Sequence, residues 1–396
     1  MPTRPAVWTS RLTTPGAGAF AVLFGLQAFI RALVTVALSV QTMAIMDSDE
    51  GVSALFLVGS LAALALAFVI PRLADWLGRA RLCSLAILLV IAASGLFILQ
   101  EPPTQVLGFV LRACGIAILF AVLSMFIMDH VRRRELGRSE PLRMLSIGLA
   151  WTAGPFLGAQ IEILWGPWAP FAVSAAVAVV MLIYFWVLRF RKLPIVRAVE
   201  PRGFESPFAN LAGFLAQPRL VLAWLQALGR VMFWACFVIY TPLYAIEIGL
   251  GQGVGGLLIS LGSGFMLLMP LWGWAARRFG IRRLSLTAFP LAALSMTGAG
   301  LLSAWPWLSA LFLVCGACAM TAIDGYGNAL FFRACKPSQR TAMTPIFSAH
   351  RDLANITQAV LFVVLLSFFP VKVVYLTLGL VLFGLTLLSL KIHRRL

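Results

Sequence analysis

The chain has 396 residues, 61% of them hydrophobic and only 11% charged, with a formal net charge of +17. A mean hydropathy of +0.96 excludes a soluble globular protein and marks an integral membrane protein. The basic excess would fit a polyanion, but its distribution along the chain reads as membrane topology and excludes a nucleic-acid partner.

Apolar runs long enough to cross a bilayer, about 20 residues each, recur twelve times. The first covers 17–45 and sets Gln27, Arg31 and Thr35 four residues apart, on one helix face. It lacks a small-residue cleavage site and so reads as a membrane helix, not a signal peptide. The second, 52–71, runs into the basic loop Pro71-Arg72-Leu73-Ala74-Asp75-Trp76-Leu77-Gly78-Arg79-Ala80-Arg81. The third, 82–100, has no ionisable interior residue, whereas the fourth, 105–129, carries Arg112 and Gly115. The fifth, 143–164, contains Gly154-Pro155-Phe156-Leu157-Gly158, and the sixth, 169–188, is again uncharged inside. A basic connector with prolines follows, dividing the chain into an N-terminal bundle at 1–188, a cytoplasmic linker at 189–218 and a C-terminal bundle at 219–396.

The seventh run, 219–246, places Gln226, Arg230, Trp234, Phe237, Thr241 and Tyr244 on one face. The eighth, 254–275, and ninth, 284–303, flank a second basic loop. In the tenth, 307–331, Asp324, Tyr326 and Asn328 alternate with Gly325 and Gly327, a stretch expected to kink or unwind. The eleventh, 341–368, has a polar stripe of Thr344, Ser348, Arg351, Asn355 and Gln358 beside His350 and Asp352; the twelfth covers 371–390.

Three correspondences about 200 residues apart relate the halves: LQAFIR at 26–31 with LQALGR at 225–230, RLADWLGRAR at 72–81 with WAARRFGIRR at 274–283, and RACGIA at 112–117 with VCGACA at 314–319. The second sets Gly78 on Gly280, the third Gly115 on Gly316. Internal repeats of this kind are a design feature of secondary transporters. Basic residues crowd alternate loops, while the loops between them hold a single lysine, Lys372, so both termini are expected to be cytoplasmic. Few lysines beside abundant arginine, alanine, leucine and glycine point to a bacterial inner membrane.

These motifs resemble the major facilitator superfamily over essentially the whole length. Its loop signature, Gly-x-Leu-Ala-Asp-Arg-x-Gly-Arg-Lys, is matched at Leu73, Ala74, Asp75, Gly78 and Arg79, with Pro71 and Trp76 departing from it. Gly154, Pro155 and Gly158 are similar to the core of its antiporter motif, although Ala159 replaces the final glycine. Arg112 and Gly115 meet its helix-four signature loosely, being three residues apart where the family has four. The resemblance implies an all-α fold of two pseudo-symmetric six-helix bundles around a central cavity, working by alternating access without cofactor or metal. It also implies a conformational latch at Asp75, Gly78 and Arg79 that favours the outward-facing state. Gly154, Pro155 and Gly158 read equally well as part of that coupling or as plain helix packing.

A charge at the centre of a membrane helix costs about 2.5–3.5 kcal/mol on insertion scales. Arg31, Arg112, Arg230 and Arg351 therefore mark candidate substrate contacts, together with Gln27, Gln226, Trp234, Tyr326 and Asn355. Proton coupling needs a group that changes charge in a partly dehydrated site, which makes Asp324, His350 and Asp352 its candidates. Each has a structural alternative: an arginine held by a buried carboxylate, a static Arg351–Asp352 bridge, a hydrogen-bonded histidine. Four arginines against two aspartates favour a small organic anion, bound across a central cavity between Arg31 and Arg230, which lie at matching depth. Superfamily members that carry organophosphates resemble this chain in placing arginines on the first and seventh helices. The expected partners are that solute, protons and the lipid bilayer, with a monomer as the expected state. No enzyme is expected, since Walker, HExxH and GxSxG motifs are absent. Two readings remain beside this one: a proton-driven efflux antiporter for amphipathic drugs or metabolites, which Gly154-Pro155 and the aromatics of the seventh run would suit, and a non-transporting receptor or assembly factor on the same scaffold.

Overall fold

The computed structural model describes residues 17–130, 133–190, 211–336 and 339–392. Among these, the regular structure is entirely helical, and twelve segments are long and apolar enough to cross a membrane. In chain order the helices are α1 (Ala17–Leu33), α2 (Thr35–Met46), α3 (Asp49–Ala67), α4 (Ile70–Leu77), α5 (Arg79–Ile98), α6 (Pro102–His130), α7 (Arg133–Trp165) and α8 (Ala169–Phe190). A short α9 (Leu211–Leu215) precedes α10 (Pro218–Glu247), α11 (Gly251–Gly264), a 3-10 turn at Phe265–Leu268, α12 (Met269–Phe279) and α13 (Ile281–Leu301). The chain continues through α14 (Pro306–Tyr326), α15 (Ala329–Ala334), α16 (Arg340–Ser348), α17 (His350–Leu366) and α18 (Lys372–Ser389).

The expected spans are present, and several are made of two helices. The first breaks at Val34, the tenth at Gly327 (φ 50°) and the eleventh at Ala349. The second and eighth break in the same way: each resumes with a proline in its first turn, α4 with Pro71 and α12 with Pro270, whose missing N–H costs nothing at a helix start. Both then stop at a glycine with positive φ, Gly78 at φ 79°, ψ 141° and Gly280 at φ 86°, ψ 149°. Only glycine reaches this region without strain. The sequence repeat is thus a repeat of backbone conformation.

Contacts divide the chain into two compact units, one formed by the described residues of Met1–Val34 and Leu61–Gly203, the other by those of Thr35–Ser60 and Phe204–Leu396. In the first unit α1 packs along α7 and α8, and α5 along α6 and α8, around a core that includes Phe24, Leu82, Ala86, Val90, Leu123 and Met181. Small residues set the closest approaches. A Cβ at Gly115 would stand 2.9 Å from the Ala86 carbonyl oxygen, so α6 lies directly on α5. In the second unit α13 packs on α14 and α18, while α10 packs on α11, α17 and α2. Gly316 repeats the role of Gly115: a Cβ there would overlap the Met296 side chain of α13. Ser53 and Tyr240, both fully buried in this unit, share a 2.7 Å hydrogen bond that ties α3 to α10.

Candidate functional site

Two polar clusters lie within membrane spans, one in each unit. In the second unit, Gln226, Arg230 and Trp234 follow each other at one-turn spacing on α10 and face the end of α14. There Arg230 Nε lies 3.4 Å from Asp324 Oδ1, with the two side chains 11% and 12% exposed. Trp234 Nε1 donates to Asp324 Oδ2 at 2.7 Å, and Arg230 Nη2 donates to Asn328 Oδ1 at 3.3 Å. Asp324 belongs to the last turn of α14, and the Gly327 turn delivers Asn328 back toward α10. The Arg230 charge is thereby paired and hydrogen-bonded, the arrangement in which a charge survives in an apolar setting.

One turn earlier, Gln226 is buried, donates through Nε2 to Ser389 Oγ at 3.0 Å and accepts from the Tyr326 hydroxyl at 3.4 Å. Tyr326 also shares a 3.0 Å hydrogen bond with Ser285. A narrow pocket opens at this network; its mostly apolar wall includes Phe331 and Phe347, with Gln226, Arg230, Tyr326 and Asn328 supplying its polar groups.

In the first unit, Gln27 is buried and Arg31 partly buried on one face of α1. The Arg31 guanidinium sits 5.8 Å from the centre of the Trp151 ring, within cation–π range. Arg112, buried on α6, donates through Nη2 to the carbonyls of Ile30 (3.4 Å) and Arg31 (3.5 Å). Ser174 of α8 donates to the same Ile30 carbonyl at 3.2 Å. These carbonyls belong to the last turn of α1, where the break at Val34 leaves helix acceptors open and a cation is favourable. Gln27 Nε2 and Arg112 Nη1 are buried without a hydrogen-bond partner among the described residues.

Gly154 and Gly158 bring α7 onto this same turn. A Cβ at Gly154 would be 2.6 Å from that of Ala32, and one at Gly158 would overlap the Leu33 carbonyl oxygen. Close helix packing is therefore what these glycines do here, with Pro155 between them.

The remaining expected residues lie elsewhere. His350 is buried, its Nδ1 2.6 Å from the Phe347 carbonyl oxygen three residues back and its ring tilted on Phe347. Arg351 and Asp352 are exposed on α17, and Asn355 is half-buried. Asp75 is exposed and makes no ion pair among the described residues, while Arg79 next to the Gly78 turn is half-buried. The aromatics that an efflux reading would use, Phe233, Phe237, Tyr240 and Tyr244, are fully buried, and Phe233 stacks on Phe237 with ring centres 5.7 Å apart. Glu162 went unremarked in the sequence, although an acid inside the fifth span is a plain signal. It lies one turn beyond Gly158, is 7% exposed, and its Oε2 is buried without a partner among the described residues. Ser389, which anchors Gln226, gave no such signal.

Residues 20–356 match the family model of the Major Facilitator Superfamily. The chain belongs to this superfamily. Solved structures of the same fold include a point mutant of the nucleoside transporter NupG, similar with a TM-score of 0.75 at 11% identity over 94% of this chain and 98% of that one. The peptide transporter POT in complex with sulfate is similar with a TM-score of 0.76 at 14% identity over 99% of both chains. A POT family transporter in complex with 5-aminolevulinic acid is similar with a TM-score of 0.75 at 13% identity over 94% of this chain and 95% of that one. No curated protein matches the chain by sequence. This superfamily member is an integral membrane transporter of solutes.

Proposed function

We propose that this transporter is a secondary active carrier that moves a small organic anion across a bacterial inner membrane by alternating access, coupled to protons, with both termini in the cytoplasm. Its moving bodies are the bundles at 1–188 and 219–396, joined by the linker at 189–218. The observation that carries this reading is the Arg230–Asp324 pair, an ionic group inside membrane spans whose arginine borders a narrow pocket. Ionisable residues at membrane depth are costly and mark solute and proton pathways. A proton taken up by the Asp324 carboxylate neutralises the counter-charge of Arg230 and makes the membrane interior more positive by one charge, which favours entry of an anion without Arg230 itself holding it. Loss of that proton restores the pair and weakens the hold on the anion, which links the two movements. Arg31 and Arg112 add positive charge in the other unit and favour the same class of solute.

The test is transport in proteoliposomes with and without a pH gradient. The native chain is expected to accumulate an organic anion when the gradient is imposed. Asp324→Asn is expected to keep exchange of anion for anion and to lose gradient-driven accumulation. Accumulation that persists in Asp324→Asn would remove this residue from the coupling.

A further inference from the structure

The two clusters differ in charge balance. Arg230 is matched by Asp324, and its remaining contacts are to an amide oxygen and a pocket edge. The cluster at the end of α1 has no such match. Among the described residues, no carboxylate pairs with Arg31 or Arg112, and the like charges of the two arginines act on each other. The Arg31 guanidinium makes no hydrogen bond among them and rests against an aromatic face. Among the described residues, every buried polar atom of this cluster that lacks a partner is an N–H donor: Nε2 of Gln27 and Nη1 of Arg112. Gln27 and Arg31 lie one turn apart, about 6 Å of rise, and Arg112 reaches the backbone of that same turn.

Buried donors without acceptors are expensive, and two guanidiniums in a membrane span without a counter-charge are more so. An apolar ligand would leave all of these costs in place, and a cation would add to them. A singly charged anion would offset one guanidinium of two. The complement is a compact group with two negative charges and several acceptor oxygens, which guanidinium forks bind through paired hydrogen bonds.

Resting on the anion-transport reading, we infer that the anionic head of the solute is held within the first unit by Gln27, Arg31 and Arg112, and that this head is a doubly charged oxyanion, either a phosphoryl group or a pair of carboxylates. Arg230 then serves the ion pair with Asp324 and not the head group. This assigns different work to the two arginines of the LQAFIR and LQALGR repeats. The Arg112 bonds to the α1 carbonyls give that residue a second, structural task, so Arg31 is the cleaner probe: removing its side chain breaks no hydrogen bond among the described residues.

The experiment measures thermal unfolding of the full chain in detergent, with inorganic phosphate, succinate or chloride added at matched ionic strength. Phosphate or succinate is expected to raise the unfolding midpoint by several degrees and chloride to leave it unchanged; which of the two acts tells a phosphoryl from a paired-carboxylate head. Arg31→Gln is expected to fold like the native chain and to abolish the shift. Arg112→Lys, which keeps a donor for the α1 carbonyls, is expected to weaken it at least tenfold in ligand concentration, and Arg230→Gln to retain it. A shift that survives Arg31→Gln and vanishes in Arg230→Gln would overturn the assignment while leaving anion transport standing. Equal shifts in all variants would show a general salt effect only and would also overturn it. Proteoliposomes that move no anion at all, from a protein that dianions still protect through Arg31, would sink the transport reading and keep the site.

Discussion

Removing either member of the Arg230–Asp324 pair leaves the other charged and enclosed, whereas removing both leaves a neutral, hydrogen-bonding site. Arg230→Gln and Asp324→Asn should therefore each destabilise by on the order of 3 kcal/mol, the low end for a broken buried pair because each partner keeps some exposure. The double variant should recover most of that loss, a coupling that denaturant unfolding in detergent measures directly. Glu162 gives the opposite expectation. Its Oε2 has no partner to lose among the described residues, so Glu162→Gln should hold or raise the unfolding midpoint; a fall would reveal a partner for the carboxylate. At this scale the sequence was informative about which residues are costly and silent about their company. Arg230, Asp324 and Trp234 announce themselves as polar groups in apolar runs, but that Asp324 neutralises Arg230 and nothing among the described residues neutralises Arg31 depends on side-chain directions across three helices.

Glycines at three kinds of position separate packing from conformation among the helices. Gly158→Ala drives a methyl group into the backbone of α1, which cannot rotate away as a side chain would. It should cost about 1–3 kcal/mol and lower the yield of folded protein. Gly78 has open space around it and a positive φ, so Gly78→Ala should cost roughly 1–3 kcal/mol from backbone strain alone. Gly95 has neither restriction, being helical with no atom close to a new Cβ, and Gly95→Ala should be tolerated. Comparing the three unfolding midpoints tests this ranking. The helices themselves were legible from hydropathy because length and apolarity determine a span. Their breaks were legible only where a residue type enforces them: Gly327 did so, while the break at Val34 falls at a residue with no breaking tendency and is supported by Arg112 and Ser174 holding the freed carbonyl of Ile30.

For the whole molecule, orientation is the property that charge alone predicts. On a cysteine-free background, an impermeant maleimide added to intact cells should label Lys372→Cys and leave Arg283→Cys unlabelled until the membrane is opened; both residues are exposed. The reverse pattern would invert the topology. The duplication was visible in the chain as three matched stretches, two of them built on glycines that set turns and close contacts and tolerate few substitutes. The grouping of Thr35–Ser60 with the second unit was not, since it follows from which side chains meet in space and not from order along the chain.

The paired turns at Gly78 and Gly280 also bear on how the chain is made. A residue in that conformation cannot arise by extending either neighbouring helix, so it sets the direction in which the nascent polypeptide doubles back before any distant partner has been synthesised. The ribosome delivers that instruction twice, once in each half. A chain halted after its first half would already carry one such turn, and the second half carries its own.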